Sequence, residues 1–309
     1  MVGRCTGRVA GHSPRRAMGP SVSAEFANDS LPFQEGVVSP RAYVSEAVVA
    51  DLAARLTPTE QAVIATLDRV RLATVTQLER LHFLPNGTDR TAARRARRTL
   101  ARLAERRVVV RLERPVGGVR SGSAGHVYAL DVAGQRLASV CGPAGGARVR
   151  RPWTPGRSFL AHTVAVTELY VRLREAERTG SLELVAFDAE PACWRAFTGI
   201  GGARVMLKPD AFVRVAAGEF EHFCFVEVDR ATQSVPALAR KLAVYRRFYA
   251  TGREQERFGL FPQVVILAPS EARKQVVVDV CGAQPPDSWP LWQVARYDDA
   301  LATLTGETS

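Results

Sequence analysis

Three carboxylates and a shortage of lysine frame the chemistry this chain could perform. Asp210 follows Pro209 where one apolar strand is expected to open, and Glu227 closes the next in Phe225-Val226-Glu227-Val228-Asp229. If those strands are neighbours, the two carboxylates come within reach of one divalent cation. Hard oxygen donors suit Mg²⁺, which keeps several waters and usually takes one or two protein carboxylates. Such an ion can polarise a phosphodiester and generate the hydroxide that attacks it. Only three lysines occur against 39 arginines, and two of them, Lys208 and Lys241, fall near these acids. A compact ammonium differs chemically from a guanidinium, so that placement matters. The alternative is plain: Glu227, Asp229 and Arg230 could form ion pairs at a strand end.

Other chemistries find less support. Five cysteines show no CxxC, and five histidines form no HxH, HxxH or HExxH. Neither a disulfide framework nor a zinc hydrolase site is expected, and the thiols read as reduced and mostly buried. His162 and Glu168 lie six apart, on helical faces about 120° from each other, a poor ligand pair. His162 is read as an interdomain or core hydrogen-bonder. Tyr245 and Tyr249, one turn apart, resemble the paired tyrosines with which rolling-circle initiators attack DNA covalently, but the His-hydrophobe-His metal site those enzymes need does not occur in the sequence. They read as an aromatic stripe packed on a sheet, and Trp153, Trp194, Trp289 and Trp292 as core residues.

The second chemical feature is cationic. On a helix expected over residues 89–107, Ala93, Ala96, Leu100 and Leu103 share one arc at 100° per residue, while Arg90, Arg94, Arg97 and Arg98 fall opposite. Residues 51–150 hold eighteen Arg against eight acids, and residues 151–309 hold nineteen bases and nineteen acids, so ten of the eleven excess charges lie in one third of the chain. Coding bias explains Arg in place of Lys but not that asymmetry. A segregated cationic excess attracts a polyanion, and double-stranded DNA is the expected partner.

The elements that must position these residues can be read from caps and periodicity. Leu56-Thr57-Pro58-Thr59-Glu60 gives an N-cap, a proline at the first helical position and a capping-box glutamate, with Val63, Ile64 and Leu67 on one face. A shorter helix starts near Thr74 or Thr76 and stops at Pro85-Asn86-Gly87; the Arg-bearing helix follows. Strands are expected over residues 108–114 and 126–130 around a Gly/Ser-rich turn carrying Arg120, then a closing helix over 131–140. Three helices and a hairpin make a winged helix-turn-helix, in which Arg90, Arg94, Arg97 and Arg98 meet base edges or phosphates and Arg120 sits on the wing. Beyond it the order is helix (159–178), strand (182–187), an undecided hairpin region (192–205), strands (210–215 and 223–228), helix (235–249) and strand (263–267).

At 309 residues, with 46% hydrophobic and 24% charged, the chain is expected to hold two packed domains. The reading is α+β: a flexible tail over 1–50, a winged-helix DNA-binding domain over 51–141, a linker over 142–157 and a restriction-endonuclease-like α/β domain over 158–305. No run of about 18 apolar residues occurs, so no helix is expected to span a bilayer. The four N-terminal arginines precede no apolar signal segment, so a cytoplasmic location is expected. Winged-helix proteins often pair on two half-sites, which makes a homodimer the expected assembly, although no dimerisation helix stands out.

The Asp210 and Glu227 spacing in an α-β-β-β-α-β order resembles the PD-(D/E)xK nuclease superfamily. The resemblance implies Glu168 as an accessory acid on the first helix and a metal held by Asp210 and Glu227. Asp229 stands where that pattern has lysine, as a third carboxylate near the ion. Lys241 then becomes the matching ammonium, because some members carry it on the following helix, with Lys208 as the other choice. Residues from Leu56 to about Pro269 resemble the bacterial replication-relaxation family associated with plasmids. The match rests on Tyr128-Ala129-Leu130-Asp131-Val132-Ala133-Gly134, on Leu160-Ala161-His162, on Pro209-Asp210-Ala211-Phe212, on Phe225 through Thr232, and on Lys241-Leu242-Ala243-Val244-Tyr245. Ala231 and Gln233 depart from the Gly and acid expected there. The resemblance implies a DNA-binding role in plasmid replication, copy control or mobilisation, with Mg²⁺-dependent nicking as its enzymatic form. The alternative is a winged-helix transcriptional regulator whose inactive α/β half binds a partner or ligand.

Overall fold

The computed structural model describes residues 44–83, 89–112, 126–141 and 155–307. Helix α1 (Glu46–Arg55) lies where the sequence predicts a tail reaching residue 50. Ser45 caps it by accepting from the Val48 N–H at 3.3 Å, and Val49 enters the core beside Leu52 and Ala53. Its stripe is short and alanine-rich, so the periodic signal is weak.

Helix α2 (Pro58–Val70) begins as expected, with Thr57 and Glu60 closing a capping box, and buries Val63, Ile64, Leu67 and Val70. Strand β1 (Ala73–Thr74) is a two-residue link to α3 (Val75–His82), whose own capping box pairs Thr74 with Gln77. Helix α4 (Asp89–Glu105) inserts Ala92, Ala96, Leu100 and Leu103 into the core. Strands β2 (Val109–Leu112) and β3 (Val127–Leu130) are antiparallel, and β1 adds to β3, giving the order β1-β3-β2. Helix α5 (Val132–Cys141) closes the segment. Gly134 is required there: a Cβ would sit 2.0 Å from the Val108 carbonyl oxygen. The expected wing turn with Arg120 lies outside the described residues.

The second half begins with α6 (Arg157–Arg178) and β4 (Glu183–Ala189). A two-stranded hairpin follows, β5 (Arg195–Thr198) and β6 (Arg204–Leu207), which is the region the sequence leaves undecided. Then come β7 (Ala211–Ala217), β8 (Phe220–Val228), α7 (Val235–Tyr249), α8 (Arg253–Phe258) and β9 (Gln263–Ala268). The chain continues past the expected order with α9 (Glu271–Gly282), β10 (Trp292–Arg296) and α10 (Ala300–Leu304). The sheet runs β10-β9-β8-β7-β4, antiparallel among β4, β7 and β8 and parallel across β8, β9 and β10. The parallel pairs need crossovers, which α7 and α9 supply.

Strand parity decides what the sheet faces. Val213, Val215, Val226, Val265 and Leu267 pack with Val166, Leu169 and Leu173 of α6 and with Leu304 of α10. Phe212, Phe225, Val264 and Ile266 pack on the other face with Leu238, Leu242 and Tyr245 of α7 and Val277 of α9. Asp210 and Glu227 share the parity of Phe212 and Phe225, so both acids belong to the α7 side. The two halves are joined: Val70 of α2 packs into the α6 cluster, and Leu72, Val127 and Leu160 form a small shared cluster. From Val44 onward the chain packs as one unit.

Candidate functional site

Asp210 precedes β7 and Glu227 lies near the end of β8. The pairing of Ala211 with Val226, continued by one residue, sets them opposite each other. The Asp210 N–H donates to the Val226 carbonyl at 3.1 Å, and the Val228 N–H donates to Asp210 Oδ2 at 2.7 Å. Both carboxylates are buried. Two side chains of α7, one turn apart, meet Glu227: the Tyr245 hydroxyl donates to Oε1 at 2.6 Å, and the Lys241 ammonium bonds Oε2. The same ammonium lies 3.9 Å from Asp210 Oδ1, and His162 Nε2 reaches that oxygen from α6 at 3.1 Å.

The charges of this cluster answer one another. Burial works against the Asp210 charge, but Lys241, His162 and the Val228 N–H outweigh it and hold the carboxyl below its ordinary range. Glu227 goes the other way: burial, reinforced by Asp210, pushes it up to about 8 despite Lys241 and Tyr245. Burial also opposes the Lys241 charge, yet Glu227 and Asp210 prevail and raise it above the ordinary lysine value. His162 is raised chiefly by its bond to Asp210. Burial and Glu227 keep Tyr245 a neutral phenol.

The other expected residues go elsewhere. Glu168 does not join this cluster; Gln77 Nε2 donates to it at 2.9 Å and Arg80 Nη1 at 2.5 Å, so it fastens α3 to α6. Arg80 also grips Glu175 through Nε at 2.8 Å and Nη2 at 2.5 Å. Asp229 pairs with Arg273 of α9 at 2.5 Å and accepts from the Ala231 N–H at 2.8 Å, stabilising the loop after β8 instead of serving as a third acid. The ion pair expected with Arg230 is therefore made with Arg273. Lys208 stacks its ammonium 4.7 Å from the Trp194 ring centroid, beyond the end of β6. Lys241 is thus the lysine that the fold brings to the acids.

His162, Tyr245 and Glu190 were not assigned to the site from sequence. Tyr245 packs against Phe225 and Trp292 as expected of a core aromatic, and its hydroxyl adds the bond to Glu227. The signal available was its spacing of four from Lys241, which places both on one helical face. Glu190 donates its N–H to the Asp210 carbonyl at 3.1 Å, and its carboxylate is held by Arg71, the residue that ends α2, at 2.9 Å. No sequence pattern announces that link.

Whether Mg²⁺ fits can be judged from the donors. Each of the four carboxylate oxygens of Asp210 and Glu227 has a protein donor, and among the described residues no three His, Cys, Asp or Glu side chains converge as a metal cage. Octahedral coordination needs lone pairs aimed at one centre. As arranged, these residues do not fit the ion.

On α4, Arg90, Arg94, Arg97 and Arg98 are all exposed, as is Arg95 between them, opposite the buried Ala92, Ala96, Leu100 and Leu103. Arg102, nearer the end of the helix, bonds the buried Glu60. The free thiols Cys193, Cys224 and Cys281 are buried.

A family model described as replication-relaxation matches residues 64–264, more than half of the chain. The chain belongs to that family. In this replication-relaxation protein the matched span runs from the middle of α2 into β9, so it takes in both the arginine-bearing helix and the carboxylate cluster. No curated protein and no solved structure matches the chain. No helix among the described residues is long and apolar enough to cross a membrane.

Proposed function

We propose that this replication-relaxation protein binds double-stranded DNA through the outer face of α4, in the replication or relaxation of a mobile element such as a plasmid. The observation that carries the reading is the separation on α4 of five exposed arginines from a buried apolar stripe. The helix, strand, helix, helix, strand, strand order with β1-β3-β2 pairing supports a winged helix-turn-helix, in which such a helix enters the major groove. Arg90, Arg94, Arg97 and Arg98 are its contacts to base edges and phosphates. Pairing of two copies on two half-sites is part of the same proposal.

The α/β half is read as a nuclease-like fold. Its sheet, with Asp210 and Glu227 on adjacent strands and Lys241 on the following helix, supports that reading. The occupied carboxylate oxygens favour a form that does not cleave in its resting state, as in a regulator with a silent α/β half. Fluorescence anisotropy with a mixed-sequence duplex, followed by gel-shift selection for a preferred site, tests the binding. Submicromolar, salt-sensitive binding is expected; binding only at the level of an uncharged control overturns the proposal. Supercoiled plasmid incubated with and without Mg²⁺ separates the two forms, because Mg²⁺-dependent relaxation abolished by Asp210→Asn would establish the cleaving one.

A further inference from the structure

The α/β half is electrically balanced only in sum, because its charges are divided between the two sides of the sheet. Residues 235–258, which form α7 and α8, hold six bases and two acids. One base, Lys241, is turned inward to Glu227, and one acid, Glu254, is buried against Arg195 at 2.9 Å. That leaves Arg240, Arg246, Arg247, Arg253 and Arg257, with Glu256 as the one exposed acid among them. Arg246 is half-buried and the other four arginines are exposed. Among the described residues none of the five forms an ion pair. Arg204 of β6, the strand beside α7, is exposed and unpaired in the same way. The other side of the sheet differs. There Arg174 pairs with Glu177 at 2.8 Å and Arg178 with Glu175 at 3.9 Å, and at the β10 edge Arg296 pairs with Asp299 at 3.2 Å.

Helix geometry gathers these cations on one outward face. Arg240 and Arg247 are seven apart, so they project within about 20° of each other and stand about 10 Å apart along α7. Leu238, Leu242, Tyr245 and Phe248 of the same helix are buried against the sheet, so the pair faces away from the sheet and from the carboxylates. Helix α8 is held on the same side: Phe258 stacks on Phe212 with ring centroids 5.7 Å apart, and Arg253 Nη1 donates to the Ala196 carbonyl at 2.8 Å. Its Arg253 and Arg257 stand one turn apart, a like-charge spacing that destabilises a helix. Such a cluster repels itself and is relieved when an external polyanion neutralises it. Guanidinium forks match phosphate oxygens, and contacts to phosphate position a duplex without reading its sequence. We infer that the α7–α8 face is a second contact to the sugar-phosphate backbone of duplex DNA, separate from α4 and without base readout. The inference rests on the reading of this chain as a duplex-DNA binder, and it gives the α/β half a part in binding that needs no cleavage.

Fluorescence anisotropy of the full chain on a mixed-sequence duplex, repeated across salt concentrations, tests this. Arg240→Ala/Arg247→Ala should flatten the slope of log affinity against log salt by about 1.8, and adding Arg94→Ala/Arg98→Ala should bring the flattening to about 3.6. Arg240 and Arg247 are exposed, so the fold is expected to survive their replacement. Arg174→Ala/Arg296→Ala removes the same charge from ion pairs elsewhere on the α/β half and should leave the slope unchanged. A wild-type slope in Arg240→Ala/Arg247→Ala, or equal flattening in Arg174→Ala/Arg296→Ala, overturns the inference. The two DNA surfaces fail separately. A slope that responds to Arg240→Ala/Arg247→Ala but not to Arg94→Ala/Arg98→Ala upholds the α7–α8 face and removes α4, and the reverse response removes the α7–α8 face alone.

Discussion

Glu60 links the start of α2 to the helix that carries the arginines, so replacing it by glutamine reports on both. Its Oε2 accepts from the Thr57 N–H at 2.9 Å and the Thr57 hydroxyl at 2.8 Å, and its Oε1 accepts from Arg102 Nε at 3.1 Å and Nη2 at 2.9 Å. The residue is 1% exposed. Glutamine has the same shape but only one acceptor, so either the cap or the Arg102 arm must face an NH₂ group. A lost capping interaction costs about 1 kcal/mol. The Arg102 arm is 43% exposed, and solvent screening holds it to about 1 kcal/mol. A buried donor left facing a donor adds about 1 kcal/mol more. Whichever arm is lost, Glu60→Gln should therefore cost about 2 kcal/mol in urea denaturation. Burial opposes the Glu60 charge, but the Thr57 bonds and Arg102 outweigh it and lower its pKa from the ordinary 4.5. A lowered carboxyl stabilises the fold above its unfolded value and loses that contribution as pH falls through the folded one. The difference between wild type and Glu60→Gln should accordingly shrink in acid. A cost below about 0.5 kcal/mol at neutral pH, within the range of ordinary surface substitutions, would refute the coupling.

Two further outcomes are expected. Gly134→Ala should cost about 3 kcal/mol in thermal or chemical denaturation, because its Cβ would meet the Val108 carbonyl oxygen at 2.0 Å and that carbonyl is fixed by the Asp131 N–H at 3.0 Å; a neutral result would place α5 differently. Burial, with Arg174 and Arg178 behind it, lowers His82 to about 4 from 6.5, so its neutral ring favours the fold above pH 6.5 and that stability is lost as pH falls toward 4. The stability of the wild type relative to His82→Asn should decline by on the order of 3 kcal/mol across this window, a difference in which the opposing contribution of Glu227, raised to about 8, cancels because both proteins carry it. His162 does not mask the effect: its raised value makes its contribution complete below pH 6.5 and lost only at higher pH.

Local physics made much of the fold legible. The capping box at Thr57 and Glu60, the apolar stripe of α4 and the span of α7 each follow from neighbours in sequence. The expectation that their strands are neighbours brings Asp210 and Glu227 together, and the fold delivers Lys241 to them. What escaped was settled by distant partners. Asp229 could not be told from a ligand until Arg273, 44 residues on, was found against it, and Glu168 is claimed by Arg80 from the preceding half. His162 could be read as a buried hydrogen-bonder, but not as the partner of Asp210. Helices α1 and α9 lack a strong stripe, and β10 is a single parallel edge strand placed by the α9 crossover.

The central claim, that α4 presents its arginines to duplex DNA, is tested most directly by the salt dependence of binding in Arg94→Ala/Arg98→Ala. Each phosphate contact contributes about 0.9 to the slope of log affinity against log salt concentration, so the double variant should flatten that slope by about 1.8. Binding that weakens without a change of slope, or a slope identical to the wild type, would contradict the account.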